Sequence, residues 1–153
     1  MKKFLIVLSA LLIVILVVLG IKYSSLKSEK DWMQENIDTI FTTNFSQLNS
    51  DLMTIALNPD LTDEELGYYL ANTTKSGNQL SSLIYSTSYR DNKVLCDMVN
   101  LLDQASGSDA LYSIEMSEEI NKNLTELLVG RFEDAELCKK TYDLIKGSVE
   151  KNY

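Results

Sequence analysis

Two groups of neighbouring carboxylates, Glu118 with Glu119 and Glu133 with Asp134 and Glu136, are the nearest this 153-residue chain comes to an acid–base pair. Such chemistry needs two carboxyls converging on one pocket with their pKa values held apart. Adjacent side chains on a helix point about 100° apart, so these acids do not converge through their spacing alone. Both groups suit first helical turns instead, where carboxylates meet the positive end of the helix dipole. The chain contains no His. That removes Ser-His-Asp and Cys-His nucleophiles, His-ligated zinc, Glu-x-x-His di-iron sites and haem attached through Cys-x-x-Cys-His. Neither a Gly-rich phosphate loop nor a Gly-x-Ser-x-Gly elbow occurs. No catalytic, metal-ligating or cofactor-binding set emerges, and the chain reads as a protein that is not an enzyme.

The two cysteines, Cys96 and Cys138, are not spaced as Cys-x-x-Cys, so thioredoxin-like exchange and four-Cys zinc sites are excluded. One disulfide is the most they can form. If the chain turns back at both 106–108 and 130, the segments near 91–105 and 131–151 run parallel, and the two cysteines differ by roughly 3 Å along the axis. If one helix instead runs from 109 to 151, the bridge is out of reach. Two buried thiols acting as small hydrophobes are the alternative.

The elements that must position these residues begin with an apolar run. From Phe4 to Ile21 the chain reads FLIVLSALLIVILVVLGI, without a charge, bracketed by Lys2 and Lys3 before it and Lys22 after it. Eighteen helical residues reach about 27 Å, close to the roughly 30 Å hydrocarbon core, and flanking lysines cover the shortfall by snorkelling. A transmembrane anchor over 1–22 with a short basic head is expected, and membrane lipid is its partner. The rival is a cleaved secretion signal, whose apolar stretch is usually only about 7–15 residues; Val18-Leu19-Gly20 is a poor cleavage site. The basic head favours a cytoplasmic N-terminus, which would place the remainder outside the cell membrane.

Only one of the 22 acids, Glu29, precedes Asp31, whereas five of the 14 basic residues do, leaving a net charge of about −12 from Asp31 to Tyr153. That field repels nucleic acid and anionic headgroups. Lys22, Lys27 and Lys30 can still pair with lipid phosphates, so the chain is basic beside the bilayer and acidic away from it.

Residues 23–153 read as an acidic, all-α bundle of four or five helices. Apolar residues at Leu26, Met33, Ile37, Phe41, Phe45, Leu48, Leu52 and Ile55 form one helical face that ends at Asn58-Pro59. Thr62 to Glu65 form a capping box. A seam of fours and threes follows through Leu66, Leu70, Thr73, Gly77, Leu80, Ile84 and Thr87. Near Tyr89 to Asn92 the pattern loses its apolar members and resumes at Val94, Met98, Leu101 and Ala105, so either one long helix crosses this point or two helices meet there. After Ser106-Gly107-Ser108, with Ser108 or Asp109 as cap, Leu111, Ile114, Ile120, Leu124, Leu127 and Leu128 mark another helix. Beyond Gly130, Ala135, Cys138, Tyr142, Ile145 and Val149 mark the last. Ala110 to Met116 is the one short segment where a strand would fit.

Tyr68, Tyr85 and Tyr89 lie roughly 100° to 200° around from the seam and form a candidate patch for a protein partner. Three Asn-x-Ser/Thr acceptors, at Asn44, Asn72 and Asn123, are about as many as chance supplies. The expected function is a membrane-anchored binding or scaffolding module of the cell envelope. A receptor-like helical domain that binds a small molecule and signals through a partner is the second reading.

Overall fold

The computed structural model describes residues 2–106 and 114–151, and all the regular structure among them is helical. Five helices are present: α1 (Lys2–Leu57), α2 (Asp63–Leu83), α3 (Lys93–Ala105), α4 (Ile114–Glu126) and α5 (Ala135–Lys151). The chain separates into two compact units, one reaching to Asn36 and the other starting at Ile37. The all-helical expectation is met. Of the segment open to a strand, Ile114 to Met116 belong to α4, and the rest, with the caps expected at Ser108 or Asp109, lies outside the described residues.

In the first unit α1 has no packing partner. Its side chains from Leu11 to Leu19, together with Ile21, are apolar and 48–65% exposed. Tyr23, Leu26, Trp32 and Met33 are exposed as well.

In the second unit α1 buries one face. Phe41, Phe45, Leu48, Leu52 and Ile55 fall at the threes and fours of a helical stripe, and all are buried. The earlier members of that stripe do not share this fate, for Leu26 and Met33 are exposed and Ile37 is half-buried. The helix stops at Leu57, where Asn58 donates from Nδ2 to the carbonyl of Thr54 at 2.8 Å and Pro59 blocks continuation.

The capping box starts α2. Thr62 Oγ1 accepts from the backbone N–H of Glu65 at 3.3 Å, and Glu65 Oε2 accepts from the N–H of Thr62 at 2.9 Å. Asp63, Glu64 and Glu65 occupy the first turn, as the dipole favours. Along the seam Thr73, Gly77, Leu80, Ile84 and Thr87 are buried, and Leu66 and Leu70 are half-buried. A Cβ placed on Gly77 would come 2.8 Å from Ser106 Oγ and 3.1 Å from Asp103 Cα. The glycine is therefore what lets α3 pack so close. Thr73 Oγ1 donates across the same contact to the carbonyl of Ser106 at 3.1 Å, and Ser81 donates to Asp103 at 2.8 Å.

Two helices meet where the pattern loses its apolar residues. A 3₁₀ turn over Ile84–Ser86 ends α2, Thr87 Oγ1 donates to the carbonyl of Ile84 at 2.7 Å, and Asn92 caps α3 by accepting from the N–H of Leu95 at 3.2 Å. α3 packs against α2 and α5, and α4 against α5. Between α4 and α5 the chain turns at Gly130, whose φ of +92° is open to glycine and costly for other residues. Ile120, Leu124 and Leu127 face the core as their spacing implies. Beyond the turn, Cys138 and Ile145 are buried, Tyr142 and Val149 half-buried and Ala135 exposed, while Leu137 and Thr141 are buried in addition.

These placements separate core from surface. Replacing fully buried Leu80 by Ala should cost about 2–5 kcal/mol. Gly77→Ala should cost about 1–3 kcal/mol, because Ser106 and α3 must shift to admit the methyl group. Exposed Tyr85, replaced by Ala, should change stability by only about 0.5 kcal/mol. Denaturant midpoints of the detergent-solubilised full chain, followed by circular dichroism, measure all three. The opposite ordering of Leu80 and Tyr85 would mean that the phase of α2 is wrong.

Candidate functional site

The Asn92 side chain forms the most connected polar node of the second unit. Its Oδ1 caps α3, while its Nδ2 donates to the carbonyl of Phe132 at 2.9 Å and lies 3.7 Å from Cys138 Sγ. One amide thus ties the start of α3 to the start of α5, so the two helices leave the same end of the bundle. This is the parallel arrangement that a Cys96–Cys138 bridge requires. The bridge is nonetheless absent, and both cysteines are buried free thiols. Cys96 Sγ donates to the carbonyl of Arg90 at 3.5 Å, and Cys138 Sγ to that of Phe132 at 3.8 Å, so each sulfur turns to backbone of the loop preceding its own helix. Matched height along two helices does not fix the direction in which the sulfurs point.

Burial raises the pKa of both thiols. Cys138 is pushed up to about 11, chiefly by desolvation and further by Asp134, against the opposing hydrogen bond from Asn92. Cys96 moves the same way, by burial first and then by Asp97. Both therefore stay protonated and weakly nucleophilic at neutral pH.

The three tyrosines do not form one patch. Tyr68 is exposed and packs edge-on against Tyr69, with ring centroids 5.4 Å apart. Tyr85 is exposed, and its hydroxyl accepts from Asn100 Nδ2 at 3.0 Å. Seventeen residues separate them, about 25 Å along a helix. Tyr89 turns inward, with its ring 5.1 Å from Phe132 and 6.0 Å from Phe41, and desolvation raises its pKa ahead of Asp38 and Glu133. It left the helical phase because α2 had already ended.

The carboxylates act as caps and surface charges. Asp134 Oδ1 accepts from the N–H of Leu137 at 2.9 Å, and its other oxygen pairs with Arg131; these contacts hold its pKa below the usual range. Glu119 pairs with Lys140 at 3.0 Å, and Glu133 and Glu136 are exposed. The side chain of Glu118 lies outside the described residues. Among the described residues no group of three His, Cys, Asp or Glu side chains is placed to hold a metal ion.

An open groove between α1 and α2, lined by Ile40, Asn44, Lys75, Asn78, Gln79, Ser82 and Leu83, went unread in the sequence. Its apolar ends, Ile40 and Leu83, come from different helices, and only the crossing of α1 with α2 unites them. A second open groove, along α1 in the first unit, is lined by Ile21, Ser24, Ser25, Ser28, Glu29 and Trp32. Lys22, Lys27 and Lys30 are exposed on the same helix, where Lys22 directly follows the apolar run. Lys2 and Lys3 belong to the first turn of α1. Asn123, one of the three sequence acceptors for a glycan, is 1% exposed and inaccessible to modification in the folded bundle.

No protein-family model matches the chain, and no curated protein or solved structure is significantly similar to it.

The buried thiols give a direct test. Neither cysteine should react with a thiol reagent at pH 8 until the chain unfolds, when both should react. A thiol whose folded pKa lies above its unfolded value stabilises the fold fully below the unfolded pKa, near 9, and loses that contribution as pH rises towards about 11. The denaturation midpoint should therefore fall between pH 9 and 11 in the native chain and fall less in Cys138→Ala.

Proposed function

We propose that this chain is a single-pass membrane protein that holds an acidic helical bundle outside the cell membrane as a binding or scaffolding component of the envelope. One observation carries the anchoring half of this reading. α1 is long and apolar enough to cross a bilayer, and its apolar side chains from Leu11 to Ile21 are uncovered by any other element. A patch of that size does not persist in water, whereas in hydrocarbon a helix satisfies all its backbone groups internally.

The binding half rests on what the bundle offers at its surface. Tyr68 and Tyr85 expose large rings that cost little entropy to immobilise, and the α1–α2 groove sets amides and Lys75 between two apolar ends. The acidic balance of residues 31–153 keeps such a module soluble and away from nucleic acid. The outward orientation is supported by the basic head of α1 and the large acidic segment that follows it.

Two measurements test this. Carbonate-washed membranes should retain the full-length chain, with an N-terminus that begins before Phe4. A mature chain starting after Gly20 and found in the medium would overturn anchoring. Protease added to intact spheroplasts of an expressing bacterium should digest the region beyond Lys30. Protection lost only on lysis would place the bundle in the cytoplasm.

A further inference from the structure

The turn and a half of α1 that follows the apolar run is still helical, and its chemistry is sorted by height. Lys22, Tyr23, Ser24, Ser25 and Lys27 come first, and no acidic residue occurs in the chain before Glu29. From Glu29 onward acids enter, with Asp31 and Glu35 close behind. We propose that Lys22 and Lys27, with Tyr23 and the hydroxyls of Ser24 and Ser25, form a collar that selects anionic lipid headgroups. Lys30 stands at the collar's outer edge. This inference rests on the membrane-anchored reading and names the lipid class that the anchor gathers.

The heights follow from helix geometry. At 1.5 Å per residue, Lys22 stands about 1.5 Å beyond Ile21, Ser24 and Ser25 about 5–6 Å, and Lys27 about 9 Å. The headgroup layer on each side of the hydrocarbon is roughly 5–7 Å thick. Side chains on a helix lean towards its N-terminus, which here is the membrane side. A lysine stem reaches about 6 Å, so Lys27 swings its ammonium back into the layer, and Lys22 reaches it with its stem lying on hydrocarbon. Glu29, about 12 Å out, is beyond the layer and more than a Debye length of about 8 Å from the hydrocarbon edge. The lean is a property of the helix and holds whichever side of the membrane carries the bundle.

The collar's side chains are free to make these contacts. Lys22, Tyr23, Ser24, Ser25 and Lys27 are all exposed, and neither lysine forms an ion pair among the described residues. Tyr23, 72% exposed, has the apolar ring and polar tip that suit the membrane interface. Phosphate oxygens accept from the lysine ammoniums and the serine hydroxyls. A lipid with net negative charge gains the full attraction, whereas a zwitterionic one brings a cation that opposes it.

Trp32 is the only tryptophan of the chain and lies ten residues after Lys22, so it reports on lipids around the collar. The full-length protein is reconstituted in phosphatidylcholine vesicles containing a trace of either phosphatidylglycerol or phosphatidylcholine, labelled with pyrene on the acyl chain. Energy transfer from Trp32 should be at least about twofold greater to the labelled phosphatidylglycerol at low salt. The preference should vanish at high salt and in the double variant Lys22→Gln/Lys27→Gln, while Lys93→Gln in the bundle leaves it unchanged. Equal transfer to both lipids by wild-type protein that floats with the vesicles would overturn the collar and leave the anchor standing. A preference that survives the double variant would overturn it too. Failure of the protein to float at all would defeat the anchor and the collar together.

Discussion

The second unit is organised around the ring of Phe132. This side chain lies in the short turn between α4 and α5, yet it is 2% exposed and meets three other aromatic rings. Its centroid is 5.5 Å from Phe41 and 5.1 Å from Phe45, both nearly edge-on, and 5.1 Å from Tyr89. Edge-to-face contacts at these distances add about 0.5–1.5 kcal/mol per pair to the burial of the rings. Phe41 and Phe45 belong to α1, Tyr89 to the link between α2 and α3, and Phe132 to the entry of α5. One cluster therefore joins segments far apart in sequence, and the loops carrying Tyr89 and Phe132 take their positions from it.

Asn92 adds direction to that non-directional contact. A hydrophobic cluster tolerates rotation and sliding, but an amide that caps α3 and also bonds the Phe132 carbonyl fixes how α3 and α5 meet. The same arrangement explains why the cysteines stay apart. Cys138 lies under Asn92 and donates to the Phe132 carbonyl, and Cys96 faces the Arg90 carbonyl, so a disulfide would have to break contacts that hold the helix starts together. Burial is also incomplete in its polar pairing. Asn49 donates to Thr125 at 3.2 Å between α1 and α4, but its Oδ1, with one atom each of Asp51 and Asn123, has no partner, which makes this contact less determined than the aromatic one.

Much of this was legible in the sequence where a local rule sufficed. Asn58-Pro59 stops α1, Thr62 and Glu65 start α2, and the threes and fours from Phe41 to Ile55 name a buried face, because each depends on residues within a turn or two. What failed to show depends on long-range contact. The inward turn of Tyr89 follows from the end of α2 at Leu83, which no Gly or Pro announces. The split of the stripe at Ile37 is likewise invisible, since Leu26 and Met33 have the same spacing as Phe41 and Phe45 but no helix beside them. The α1–α2 groove needs two helices to cross before its lining exists. Phe132 reads as one aromatic in an acidic turn, and nothing in its neighbours reveals that it is central.

The weak seam of α2 shows how local and global demands are reconciled. Thr73, Gly77 and Thr87 bury little apolar surface, and a helix carried only by them would bind its neighbours poorly. Small residues instead let α3 approach until Ser106 lies against Gly77, where dispersion contacts become dense. The buried hydroxyls that come with that choice must then be paired. Thr73 shares the Leu70 and Ser106 carbonyls, and Thr87 bonds the Ile84 carbonyl as the helix ends. These bonds supply the orphan carbonyls at the ends of α2 and α3 with donors. Close approach and end-capping are thus met by the same side chains, which is why a seam without bulky residues still packs.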